Sequence, residues 1–362
     1  MWAAGGHAGR HTERERAGGI RPWRGRGDNV PPASAAPPTA MPRALLPRIA
    51  SLLISLLAAT ALIFGLLEVL PGNVAQLMLG SEATPEAVAA LAEQLGLQRP
   101  AALRYLDWLA GLARGEMGLS HAYGAPVAEL IAERLVVTLP LALLAMALAA
   151  LIALAAGGYA AARRGRPGDL LVMLLSQLGL ATPSFWFAIL LMLLFAVKLQ
   201  WVAAGGFPGW RAAEGGGLGP ALQALALPAL ALALTQAAIL ARITRSALLE
   251  VLGEDYVRSA RAAGASEPRI LLHHALRNAL IPIVTVMGLQ FANLLAGTIV
   301  VENIFQLPGL GRLLFQAVAN RDLMVLRNGV LLLVALVLLL NFVVDLLYLA
   351  LDPRLRRERE HG

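Results

Sequence analysis

Apolar residues in this chain come in long unbroken runs, and the polar residues are gathered between them. Six runs stand out: Ile49 to about Leu70, about Leu135 to Ala161, Leu170 to Val197, Ala221 to Ile243, Ala279 to Val301, and Asn328 to Leu351. A helix rises 1.5 Å per residue, so the first run spans about 33 Å, enough to cross a bilayer's hydrocarbon core. The pattern predicts an all-α polytopic membrane protein with six transmembrane helices. The first run ends at the breaker cluster Leu70-Pro71-Gly72-Asn73. The third carries Thr182-Pro183 at mid-depth, where a proline frees a carbonyl and bends the helix.

The polar segments divide by charge. Residues 71–133 form the longest insert, and its acids outnumber its basic residues. Thr84-Pro85 reads as N-cap and first-turn proline, Gly96 as a stop, and a second short helix follows from Pro100 to Leu112. Such a segment suits a small helical cap on the outer side. Trp201 and Trp210, in the Gly-rich loop after the third run, suit an interfacial belt. Six spans return both termini to one side of the membrane. The arginines at 43 and 48, 163–166, 242–277 and 354–359 all fall on that side. The positive-inside rule therefore predicts that both termini are cytoplasmic.

Composition agrees with the pattern. Of 362 residues, 58% are hydrophobic and 15% charged, against about 45–50% and about 25% in soluble domains. The net charge of +7 is explained by cytoplasmic arginine, so nucleic acid is not implied. There is no cysteine, which excludes disulfides, thiolate-held zinc and thiol catalysis. Lys198 is the sole lysine and follows Val197. A phosphate-binding loop needs a lysine after glycine, so the chain carries no such ATP site and no cofactor of its own. Residues 1–40 are rich in Arg, Gly, Pro and Ala and read as a disordered tail or, the favoured reading, an extension ahead of a start at Met41.

The segment 244–277 is the one with mechanism in it. Glu254-Asp255 open a short helix with acids suited to its positive end, and Gly264 can close it in the left-handed conformation. Arg258 and Arg261 share one face; Ala260 and Ala263 make another small and smooth. Ser266 can cap a second helix, which carries His273, His274 and Arg277 back to the membrane. A solvated basic loop would look similar, but small residues beside fixed charges suit a knob inserted into a partner's groove.

The stretch Asp255-Tyr256-Val257-Arg258-Ser259-Ala260-Arg261-Ala262-Ala263-Gly264, followed by His274-Ala275-Leu276-Arg277-Asn278-Ala279-Leu280-Ile281-Pro282, resembles the coupling ("EAA") loop of ABC-importer permeases of the dipeptide/oligopeptide/nickel group. Leu70-Pro71-Gly72, Pro183-Ser184-Phe185-Trp186, Ala241-Arg242-Ile243-Thr244-Arg245-Ser246, Pro308-Gly309-Leu310-Gly311 and Leu351-Asp352-Pro353-Arg354 match too. The likeness covers about Met41 to Arg357, leaving 358–362 as a tail. Ala263 and Asn73 depart from it, where the group often has lysine and aspartate. The resemblance implies a bacterial inner-membrane permease, one half of a pore completed by a second permease subunit. Two cytoplasmic ATPases, holding ATP and Mg, would dock on the loop through Asp255, Tyr256, Arg258, Ala260, Arg261, Gly264 and Arg277. An extracytoplasmic binding protein would deliver a peptide, nickel, glutathione or another small solute.

Other polar residues are weaker candidates. Gln236, Gln290 and Asn293 lie inside spans and are pathway candidates, with interhelical hydrogen bonding as the competing reading. Asn341 and Asp345 form a stripe in the last span. No metal-binding or nucleophile–base pattern emerges, so an enzyme is not indicated. The rival class is an ion-gradient-driven secondary transporter, which calls for paired ionisable groups at mid-membrane and inverted repeats; neither is evident.

Overall fold

The computed structural model describes residues 40–69, 74–80, 82–94 and 96–351. The N-terminal segment up to 39, the Leu70-Pro71-Gly72-Asn73 cluster, Asp352-Pro353-Arg354 and the 358–362 tail lie outside them. The chain divides into two units, Met1–Leu46 and Pro47–Gly362. Of the first, only the opening turns of a helix are described.

Every regular element among the described residues is helical. The order is α1 Ala40–Val69, α2 Val74–Leu79, α3 Pro85–Gln94, α4 Ala101–Arg114, α5 Val127–Ala162, α6 Pro167–Ala181, α7 Ser184–Leu191, α8 Leu218–Leu252, α9 Asp255–Ala262, α10 Glu267–Arg269, α11 Leu276–Ile304, α12 Leu310–Ala319 and α13 Leu323–Leu351. Wider π turns at Met192–Lys198 and Ile270–Ala275 extend α7 and join α10 to α11. Among the described residues five helices are long and apolar enough to cross a membrane.

The third predicted span needs correcting. Its two halves, Pro167–Ala181 and Ser184–Lys198, meet at 100°, so the proline does not merely bend one helix. A residue before proline is forced out of the helical region: Thr182 is extended at φ −102°, ψ 122°, and Pro183 follows at φ −63°, ψ 147°. The Thr182 hydroxyl donates to the Leu178 carbonyl at 2.8 Å, closing the first half. The pair is a broken span or a re-entrant turn.

The core is a seam of small residues between α5 and α8. On α5, Ala142, Ala145, Ala149, Ala153 and Gly157 recur every three or four residues; on α8, Ala229, Ala233, Ala237 and Ala241 do the same, all buried. Small residues let two backbones approach closely in a membrane, where dispersion and packing replace the hydrophobic effect. Gly157 marks the tightest point: a Cβ there would lie 2.7 Å from the Ala241 carbonyl oxygen and from Thr244 Cβ. Leu225, Leu232, Leu240, Phe291, Leu294 and Phe305 fill the seam's flanks. In α8, 67% of the apolar window is buried, against 11% in α1 and α13. Helix α8 is therefore central and α1 and α13 peripheral, with Leu53, Leu57, Leu62 and Leu66 of α1 facing outward.

The polar insert forms the helices expected of it. Thr84 Oγ1 accepts from the Ala87 amide at 3.3 Å, and Gly96 is left-handed at φ +64°. The insert is tied to α13 by buried polar contacts. Asp322 accepts from Ser120 Oγ at 2.5 Å and from the Ala122 amide at 3.1 Å. The Trp108 indole donates to Asn328 Oδ1 at 3.1 Å. Trp210 donates to the Val136 carbonyl at 2.8 Å, so it serves a specific contact, while Trp201 is exposed.

The segment 302–326, between the fifth and sixth apolar runs, contains α12. Its N-terminus is organised by Glu302, which is fully buried. That carboxyl accepts from Thr138 Oγ1 at 2.6 Å and from the Arg312 amide at 3.1 Å. Thr138 in turn accepts from the Leu310 amide at 2.8 Å. The Pro308-Gly309-Leu310-Gly311 motif thereby acquires a physical role. A Cβ on Gly309 would lie 2.3 Å from the Glu302 carboxyl, and one on Gly311 would lie 2.4 Å from Ile299 Cα.

Candidate functional site

Helix α8 does not stop at Ile243 but runs unbroken to Leu252. The segment read as a loop, 244–277, is thus mostly rigid helix: the end of α8, a corner, α9, a second corner, then α10 leading straight into α11. Glu254, extended at φ −69° and ψ 149°, starts α9 with Asp255 in its first turn. Gly264 turns the second corner at φ +86°. Its amide donates to Arg261 O at 3.0 Å, and the Ala265 amide reaches back to Ala260 O at 3.1 Å. Ser266 has the extended backbone of an N-cap, but its side chain caps nothing; Pro268 pre-sets the first turn instead.

Buried anchors fix this elbow. Val257 on α9 and Ile270 on the returning strand of helix are fully buried, as are Ala275 and Ala279. The Tyr256 hydroxyl accepts from Asn278 Nδ2 at 2.6 Å and donates to the His274 carbonyl at 3.3 Å. Tyr256 therefore has two duties: its hydroxyl braces the elbow, while its ring is 42% exposed. The charges are also paired within the elbow. Arg258 meets Asp255 at 3.0 Å. Arg261 grips Glu267 with two bonds, 2.7 and 3.1 Å. That hydrogen bonding holds the Arg261 guanidinium above its ordinary arginine value.

Of the seven predicted docking residues, Asp255, Tyr256, Arg258, Arg261, Gly264 and Arg277 are exposed. Ala260 is half-buried, on the inward side with Val257. The small, smooth surface is made by Ala262, Ala263 and Gly264 instead. Val257, Ile270 and Asn278 escaped attention as candidates. The signal for the first two was present: lone apolar residues one helical repeat from flanking polar ones mark an inward face.

The pathway candidates separate. Gln236 is buried on α8, and its Oε1 has no hydrogen-bond partner. Gln290 and Asn293 share a face of α11 and bond each other, Asn293 Nδ2 to Gln290 Oε1 at 3.2 Å, with Asn293 exposed. The bond of this pair runs within one helix rather than between helices among the described residues. Asp345 is exposed, and its backbone carbonyl accepts from Arg48. No group of three or more His, Asp or Glu side chains suited to a metal occurs among the described residues.

The chain is a polytopic helical membrane protein in which a braced, exposed elbow joins the central helix α8 to α11. The comparisons give the family. Residues 151–357 match the binding-protein-dependent transport system inner membrane component, and residues 41–142 match the N-terminal region of such membrane components. A Brucella abortus (strain 2308) protein named as a peptide transport system permease is 43% identical over 86% of this chain and 98% of its own length. The di/tripeptide transport system permease of Pseudomonas aeruginosa (strain UCBPP-PA14) is 40% identical over the same shares. The glutathione transport system permease of Salmonella typhimurium (strain LT2) is 41% identical, again over 86% and 98%. The chain belongs to the family of binding-protein-dependent transport system inner membrane components. It is a permease subunit of an ABC importer, neither a secondary transporter nor an enzyme, and it works with an ATPase and a substrate-binding protein.

Proposed function

We propose that this permease imports peptides, forming one half of a pore whose other half is a second permease subunit, and that two cytoplasmic ATPases drive it through the 255–277 elbow. ATP and Mg belong to those ATPases. Both termini lie on the elbow's side, the cytoplasm, as the arginine distribution suggests. The elbow's geometry carries the reading. It is short, braced by Tyr256 and Asn278, and continuous with α8 on one side and α11 on the other. A displacement of the elbow is therefore delivered to the helices that hold Gln236, Gln290 and Asn293. That is the rigid-body coupling an inward-open to outward-open switch requires. On α11 the Gln290–Asn293 pair presents amide groups on a face that this chain leaves exposed, a suitable surface for a peptide backbone passing between subunits.

The peptide assignment is supported by the names of the relatives, all transporters of peptides or of glutathione. Uptake by proteoliposomes containing the whole importer is the test. Labelled di- and tripeptides should enter with ATP inside and no ion gradient. Uptake that needs a proton gradient and ignores ATP would overturn the proposal.

A further inference from the structure

At the end of the molecule that carries the insert, the last turns of α1, the helix α4 and the first turns of α13 enclose a cavity of about 400 Å³. Four arginines line it, and three are matched to a carboxylate: Arg99 to Asp107 at 2.5 Å, Arg104 to Glu68 at 2.5 Å, and Arg114 to Glu116 at 3.0 Å. Arg327 is the odd one. No carboxylate pairs with it among the described residues. Its guanidinium lies 4.4 Å from the centre of the Trp108 ring, and one amino group reaches the Met324 sulfur at 3.4 Å. Its Nε is buried with no hydrogen-bond partner. The charged side chain that acts on it electrostatically is Arg104, of like sign.

A guanidinium presents five donors in a planar fork that matches oxyanions. The side chain is half-buried with its Nε buried and unpartnered, which is costly, so the arrangement calls for an anion from outside the chain. Depth narrows the choice. The apolar span of α13 begins at Leu323, so Arg327 sits about 6 Å inside it. Glu68 is one residue from the end of α1. Both positions are at the boundary between hydrocarbon and headgroups. Beside the cavity, Leu62, Leu66 and Val69 of α1 turn outward, 62–82% exposed, a surface that suits an acyl chain.

We infer that this cavity binds the phosphate of an anionic phospholipid in the leaflet on the insert's side, with Arg327 as its principal ligand and the Trp108 ring as the floor. The lipid neutralises the unmatched charge and pins the outer ends of α1 and α13 to the insert. A free oxyanion would use the same guanidinium without the α1 surface, so the two sources can be separated.

The experiment is native mass spectrometry of the purified full-length chain titrated with phosphatidylglycerol or with phosphatidylcholine of the same acyl chains. The first phosphatidylglycerol should bind about fivefold more tightly than phosphatidylcholine, the worth of one interfacial arginine. Arg327→Gln should abolish that preference, and Arg327→Lys should keep most of it. Equal binding of the two lipids to the unaltered protein would overturn the inference, as would a preference that survives Arg327→Gln. A phosphate adduct retained from 10 mM inorganic phosphate (about the concentration that would saturate a free-anion site of millimolar affinity), lost in Arg327→Gln and accompanied by no phosphatidylglycerol preference, would assign the site to a soluble anion and overturn the lipid.

Discussion

Replacing Gly264 should separate the elbow's shape from the protein's stability. The residue sits at φ +86°, and a Cβ placed on it would meet nothing within 4 Å. Alanine therefore costs only the strain of the left-handed region, about 1–2 kcal/mol. Proline is different in kind. It requires φ near −65°, so the corner cannot keep its angle. It also deletes the 3.0 Å bond from the Gly264 amide to Arg261 O, worth about 1 kcal/mol. It further disfavours Ala263 at φ −78°, ψ 4°, since a residue before proline prefers an extended backbone. A proline misplaced in this way costs about 3 kcal/mol, and here the cost falls on an exposed corner. The elbow should rearrange while the membrane core stays folded. In proteoliposomes with the cognate ATPases, Gly264→Ala should retain most peptide uptake per ATP hydrolysed. Gly264→Pro should lose nearly all of it with an unchanged melting temperature. Full coupled uptake by a stable Gly264→Pro protein would refute the idea that this corner transmits force.

Three more predictions follow from close contacts. Gly157→Ala should lower the melting temperature, because a Cβ placed 2.7 Å from the Ala241 carbonyl forces apart the α5–α8 seam at a cost of about 1–3 kcal/mol; a melting curve identical to the parent's would count against that seam as the core. Asp169→Asn should be destabilising by about 3 kcal/mol, since Asp169 is buried and takes two bonds from Arg245, at 2.6 and 2.7 Å; thermal unfolding measures it, and a neutral result would mean the pair is solvated. Tyr256→Phe removes the 2.6 Å bond from Asn278 but keeps the exposed ring, so ATPase binding should persist while uptake per ATP falls severalfold; unchanged uptake would show that the brace is dispensable.

The membrane spans were legible because a bilayer imposes a length and a composition that survive in a single sequence. Leu45–Val69, Val127–Ala162, Leu218–Leu252, Glu267–Ile304 and Leu323–Leu346 contain or overlap the predicted runs. Their ends ran past the predictions because helices such as α8 continue into water, where hydropathy no longer marks them. The break at Thr182-Pro183 was visible as a proline, but its 100° angle depends on which carbonyls find other partners. Helix α12 was missed although Leu310, Leu313, Leu314 and Ala317, all buried, repeat at helical spacing. Pro308 and Gly309 dominate the local signal, and their reason is the tertiary approach of Glu302. In the elbow, Gly264 and the two ion-pairing arginines were readable from spacing. That Ala260 faces inward with Val257 depends on what α9 packs against, which no local pattern reveals.

Docking of an ATPase on the elbow is the central claim, and Arg258 tests it most directly. Its guanidinium is 70% exposed and paired, among the described residues, with Asp255 at 3.0 Å, so its charge can be reversed with little effect on folding. The measurement is co-purification of the cognate ATPase with this chain, together with peptide-stimulated ATP hydrolysis, for the parent and for Arg258→Glu. The account predicts that the parent retains the ATPase and couples hydrolysis to peptide, and that Arg258→Glu loses both while remaining folded in the membrane. Equal ATPase retention and equal stimulation in the two proteins would contradict it.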